Sequence, residues 1–211
     1  MKGSDSKIAI VSLVVLSIWI FVALPLIYSP EPTTDHLLRF APLFTPVVAS
    51  VAAIIAVAAI SAQKSIARKR AAIDFFLKTD LDHNMLEAYA DFEKALKSFK
   101  AHTAGGRDIK TFIDDPETEK DYKKILRYLN VHELVAVGIK NNIFDEGVCY
   151  NFWSDAMVRH VRETRPVIEY EIEDGGSDAL FLELRTLSAR WSVQIANWNR
   201  NFGNGRSVKT V

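Results

Sequence analysis

The residues best equipped for chemistry lie in the stretch Tyr128-Leu-Asn-Val-His-Glu-Leu134. It is a polar knot inside an otherwise apolar helical pattern. At about 3.6 residues per turn, Asn130, Glu133 and Val137 fall on one face, beside the Leu126 and Leu129 stripe. His132 falls between Leu129 and Ala136, on or beside the core side. A carboxylate in such a place is costly unless it is paired. Used for chemistry, Glu133 and His132 would act as a general acid or base, or hold a metal. Used for structure, they would form a buried polar knot that fixes helix register, with Arg159, Arg162 or a tryptophan N–H as partner. Buried ionisable groups more often satisfy a core than run a reaction. The structural use is therefore the expectation, and no residue is assigned as catalytic.

Other chemistries are tested by spacing. A di-iron bundle needs two Glu-x-x-His pairs and two further carboxylates, and the chain has no Glu-x-x-His. Asp80-x-x-His83 comes nearest, at a helix start where Asp is normally a cap. His102 falls in a loop, and His36 lies on the far side of a membrane segment described below. His160, on an apolar face near Arg159, reads as a core or rim histidine. No metal site and no cofactor is expected. Gly105-Gly106 and Gly175-Gly176 lack the spacing of a phosphate loop, and no Gly-x-Ser-x-Gly elbow occurs. Cys149 is the sole cysteine, which rules out an intrachain disulfide and a cysteine zinc cluster. It has no adjacent basic residue to activate it and reads as a buried, inert thiol. Trp153, Trp191 and Trp198 could cage a ligand, but at helical spacing they read as core.

The elements that carry these residues are helical throughout. From Lys64 to Leu77 few breakers occur. Leu81 to Lys100 repeats Met85, Ala88/Tyr89, Phe92, Leu96 and Phe99 at the helical period. A loop over His102–Gly106 and a short turn of helix at Ile109–Ile113 follow. Asp115-Pro116-Glu117 signals a helix start, predicting a helix from Pro116 to about Lys140, ended by Asn141-Asn142. Asp145-Glu146 starts another, to about Glu163, and Pro166 allows a short one to Glu173. Ser177 or Asp178 caps the last, whose stripe is Leu180, Leu184, Leu187, Trp191, Ile195, Trp198 and Phe202. Each helix has one apolar face to bury, so residues 64–202 form an all-α bundle. Residues 203–211 form a loose tail.

The N-terminal region is of another kind. Phe40 to Ala62 is 23 residues without a formal charge, and Ile8 to Tyr28 is 21. Each spans a hydrocarbon core of about 30 Å. Ile8–Tyr28 is too long for a signal-peptide core and lacks a good cleavage site. Ser29–Arg39 is a tight connector, so residues 1–63 form a two-helix transmembrane hairpin. Pro42 and Pro46 are placed in the first two turns of the second span, where lost N–H groups cost least. Ala49, Ala53 and Ala56 share one face, a spacing that lets helices approach closely in lipid. Lys64, Arg68, Lys69 and Arg70 mark the membrane edge. The loop between the spans holds only Arg39, whereas Lys2 and Lys7 precede the first span. The positive-inside rule then puts both termini in the cytoplasm. Of 26 Lys/Arg and 26 Asp/Glu, three of each lie in residues 1–63, leaving 23 of each beyond. That balance gives no broad attraction to nucleic acid.

Several stretches occur in a telling order. Two spans lead into an Arg-rich exit and Ala-Ala-Ile-Asp-Phe-Phe-Leu77. Tyr128 to Ile139 and Ile-Phe-Asp-Glu146 follow, and a tryptophan-bearing last helix ends the series. This order resembles a bacterial family of membrane-anchored, cytoplasmic all-helical proteins that is catalogued as a domain of unknown function. The resemblance covers most of residues 55–200, through Leu129-Asn130, Glu133, Gly138 and Asp145-Glu146. It implies a multi-pass protein of the bacterial inner membrane and no particular activity. With His132, it marks Asn130, Glu133, Asp145 and Glu146 as the polar cluster to test. The leading functional expectation is an interaction or sensing module at the cytoplasmic face. Its partners would be the lipid bilayer and another protein or a second copy of the chain. One alternative is a small structural subunit acting through its hairpin. The other is a hydrolase-type enzyme with a polar site around Asn130 and Glu133.

Overall fold

A computed structural model describes residues 34–175 and 177–202. Among these, every regular element is a helix. The expected first span Ile8–Tyr28, residues 29–33 of the connector and the tail 203–211 lie outside the described residues. The chain divides into two compact units, residues 1–64 and 65–211.

In the first unit the chain enters helix α1, Thr34–Leu81. The helix starts earlier than Phe40 because Pro30 and Pro32 precede it, and residues 34–39 hold neither proline nor glycine. Pro42 and Pro46 therefore sit inside the helix rather than in its first two turns, each removing one i→i−4 bond. Segment Val48–Leu81 carries an 18-residue window of mean hydropathy 1.6, none of it buried. Val48, Ile54, Ile55, Val57 and Ile60 all stand at least half exposed. By length and composition this is the one helix among the described residues able to cross a membrane.

The second unit holds six further helices: α2 His83–Ala104, α3 Ile109–Asp114, α4 Glu119–Lys140, α5 Glu146–Glu163, α6 Arg165–Gly175 and α7 Leu182–Phe202. The end of α1 and the start of α2 are set by Asp82, whose carboxylate accepts from the N–H groups of Asn84 and Met85 at 2.8 and 3.2 Å. Asp82 thus fills the capping role expected of Asp80. Helix α2 runs past Lys100 because the His102 ring is held by the Asp108 carbonyl and the Thr111 hydroxyl, at 3.1 and 2.9 Å.

Two helix starts come later than the sequence suggests. Asp115 and Pro116 form a turn rather than a first helical turn, since Asp115 Oδ1 takes the Glu117 N–H at 2.9 Å and its carbonyl takes those of Thr118 and Glu119. Ser177 and Asp178 lead into turns rather than capping α7 directly. Phe181 adopts a left-handed φ of 51°, rare for an aromatic residue. That conformation accompanies a ring sunk to 4% exposure.

Helix α2 packs most extensively on α4, while α7 packs on both α4 and α5. The core joins Phe92, Leu96 and Phe99 of α2, Ile125 and Leu129 of α4, Met157 of α5, and Leu184 and Trp191 of α7. Helix α4 ends at Gly138-Ile-Lys140 as its C-cap signals require, with Asn142 at φ 57°. Gly138 packs closely: a Cβ there would lie 2.4 Å from a Phe144 ring carbon, so that ring would have to shift.

Candidate functional site

Helix α4 presents different polar groups to different neighbours. On the side toward α2 and α5, His132 meets His160. His132 Nε2 and His160 Nδ1 lie 2.9 Å apart, with the rings stacked at 5.2 Å and 22°. Each ring is 1% exposed. Burial, then the neighbouring His160, pulls the His132 pKa down to about 3. Burial, then the Arg159 charge, pulls that of His160 down to about 4, against an opposing pull from Glu93. Both rings are neutral at pH 7.

The tautomers follow from the partners. His132 Nδ1 is buried with no hydrogen-bond partner. If His132 donates to His160, the orphan is a bare lone pair, and His160 Nε2–H faces Glu93 Oε1 at 3.6 Å. If His160 donates, the orphan is a buried N–H, and His160 Nε2 can accept from Arg159 Nη2 at 3.3 Å. An unpaired buried group costs about 1–3 kcal/mol, and a hydrogen bond from a charged donor such as Arg159 is worth about 1.5–3 kcal/mol. Buried orphan donors are also rarer than under-used acceptors. The two arrangements are close in energy, and both leave Nδ1 of His132 without a partner.

Around the pair lies a cavity of about 170 Å³, lined by Asp80, Tyr89, Tyr128, Trp153 and both histidines among others. The rings stand at steep angles: Tyr128 to His132 at 74°, Trp153 to His132 at 85°, Tyr89 to Tyr128 at 47°. Tyr89 donates to Glu93 at 3.0 Å. The Tyr128 hydroxyl is held protonated, mainly by burial and further by Tyr89, Glu93 and Asp80.

The rest of the predicted cluster is not brought to this place. Glu133 Oε2 accepts the Leu184 N–H at 2.7 Å, capping the first turn of α7 with a charge that suits a helix N-terminus. The partner is thus a backbone amide, not Arg159, Arg162 or an indole. Asp145 caps α5 through the Val148 N–H at 3.1 Å. Glu146 accepts from Arg190 at 2.8 Å and from the Trp191 indole at 3.1 Å. Asn130 is exposed. Three of the five residues therefore serve helix ends or hold α7, and His132 alone faces the cavity.

The basic quartet also divides. Arg68 donates to the Asn142 side chain at 3.0 Å, and its carbonyl accepts the Asp145 N–H at 3.3 Å. Arg68 is thereby a clamp on the α4–α5 loop, while Arg70 pairs with Asp74 at 3.8 Å. Lys64 and Lys69 are exposed. The tryptophans form no common cage: Trp191 is fully buried and Trp198 is 63% exposed. Cys149 is buried, and burial with Asp145 and Glu146 nearby pushes its thiol up to about 12.

Sequence reasoning missed the partnership of His132 with His160, and the roles of Tyr89, Tyr128 and Asp80. The usable signal was two histidines on the apolar faces of consecutive long helices. Chemically, the arrangement offers aromatic rings and one nearby carboxylate. No group of three or more His, Cys, Asp or Glu suited to a metal ion occurs among the described residues.

No curated protein and no solved structure matches the chain. A family profile, Domain of unknown function (DUF4760), matches residues 46–191. That span runs from the exposed apolar segment of α1 to Trp191. It takes in the histidine pair, the capping carboxylates and Gly138. The chain belongs to the DUF4760 family.

Proposed function

We infer that this protein is a membrane-anchored helical module that works by binding, at the cytoplasmic face of a bacterial inner membrane. The observation that carries this reading is the exposed apolar run of α1. Val48, Val57 and Ile60 are 60, 64 and 51% exposed, and leaving such a row in water is unfavourable by about 25 cal/mol per Å². Lipid relieves that cost. Ile8–Tyr28 would supply a second span and complete a hairpin with both termini inside, as the Lys/Arg distribution favours. Binding is favoured over catalysis because Glu133, Asp145 and Glu146 are already committed to helix ends and to α7. The domain would present its surface to another protein or to a second copy of the chain.

Cysteine labelling tests the topology. In a Cys149→Ser background, Thr33→Cys should react with a membrane-impermeant maleimide in intact spheroplasts. Ser4→Cys should react only after lysis. Labelling of Ser4→Cys from outside, or release of the protein by alkaline carbonate, would overturn the anchor as described. Crosslinking at native expression should capture a stoichiometric partner or an oligomer; a lone monomer would count against the interaction role.

A further inference from the structure

We propose that the cavity beside the histidine pair binds a small organic cation, an ammonium group bearing methyl or methylene substituents. The argument concerns the second unit alone and does not need the membrane reading.

Size comes first. A cavity of about 150 Å³ holds a benzene-sized molecule, and this one measures about 170 Å³. A trimethylammonium or alkylammonium head is of that order. The walls come next. Tyr89, Tyr128 and Trp153 line the space; Tyr89 is inclined at 47° to Tyr128, and Tyr128 and Trp153 stand at 74° and 85° to His132. Inclined electron-rich rings are what a cation with greasy substituents requires, since it meets a negative π-face from several directions.

Charge then selects the sign. No lysine or arginine lines the cavity, and Asp80 does. Asp80 makes no ion pair among the described residues. Arg159 Nη2 lies behind the pair, 3.3 Å from His160 Nε2, and shares its charge with Glu93 at 3.7 Å. After burial and Tyr89, both Glu93 and Asp80 help to keep the proton on the Tyr128 hydroxyl. An anion would meet repulsion here, and a neutral apolar guest would leave Asp80 unused.

The chemistry has two possible sources, a free amine or the ammonium head of a lipid. The test uses the full-length protein in a detergent without an ammonium group. Calorimetry would titrate tetramethylammonium, choline and the neutral choline isostere 3,3-dimethylbutan-1-ol. A short-chain phosphocholine lipid forms the second arm. Choline should bind in the millimolar range or tighter, and the neutral isostere about tenfold more weakly. Asp80→Asn and Tyr89→Leu alter exposed side chains, so the fold should survive, as an unchanged ligand-free melting temperature would confirm. Each should weaken choline about tenfold. Tighter binding of the phosphocholine lipid than of choline would identify a lipid head as the source, and equal binding a free amine. If none of the cationic probes binds, or if the neutral isostere matches choline, the proposal is wrong.

Discussion

The two sides of α4 use polar groups in opposite ways. Toward α7, every carboxylate has a partner: Glu133 takes a backbone amide, and Glu146 takes an indole and a guanidinium. Toward α2 and α5, satisfaction is incomplete. The histidine pair leaves one buried nitrogen unpartnered, and Asp80 makes no ion pair among the described residues. His132 and Glu133 are neighbours in the chain, yet one belongs to each side. The carboxylates on the α7 side are structural joints, whereas the histidine pair combines burial with an unsatisfied nitrogen, which calls for its own explanation.

Three experiments can break or sharpen that contrast. The largest effect belongs to the paired side. Trp191 is fully buried, so Trp191→Ala should cost about 3–5 kcal/mol and strand Glu146 without its indole. Urea unfolding would measure it, and a loss below about 1 kcal/mol would mean that α7 is not a structural joint.

The histidine side should instead respond to pH. Both folded pKa values, about 3 and about 4, lie below the unfolded value of 6.5. Below pH 6.5 the unfolded chain therefore binds protons that the folded one refuses. Stability should be steady above that pH and fall as pH drops toward 4. At pH 5 the loss is roughly 2 kcal/mol for each ring. His132→Gln lowers stability at pH 7 but should flatten this slope. An unchanged slope in that variant would show that the pair does not titrate as described.

The smallest effect tests the cap. Glu133→Ala leaves the Leu184 N–H unpaired and should cost about 1 kcal/mol, whereas Glu133→Gln keeps an acceptor and should cost less. Asn130→Ala, at an exposed position, should leave the melting temperature unchanged. If Asn130→Ala proves as costly as Glu133→Ala, the separation of the two residues is mistaken.

Much of the architecture was legible because it rests on local rules. Helical periodicity set the helix content, and Asn141-Asn142 and Asp145 mark their turns directly. The misplaced starts, at Pro116 and Ser177, fell where a side chain or a buried ring overrode the local signal. Thr118 holds the Phe112 carbonyl at 2.6 Å, and Phe181 reaches the core only through a left-handed backbone. Neither contact has a spacing that a sequence displays.

The same division holds for the protein as a whole. By itself, the sequence determined an uncharged run long enough for a bilayer, a charge-balanced helical domain, a sole cysteine and the absence of phosphate-loop spacing. These depend on composition and on intervals of a few residues. Only the tertiary structure decided which polar groups meet. His132 and His160 lie on different helices, Glu133 reaches an amide on a third, and Asp80 comes to Tyr128 from α1. The physical reason is that pairing energy depends on distances of about 3 Å, and packing sets those distances between residues far apart in the chain.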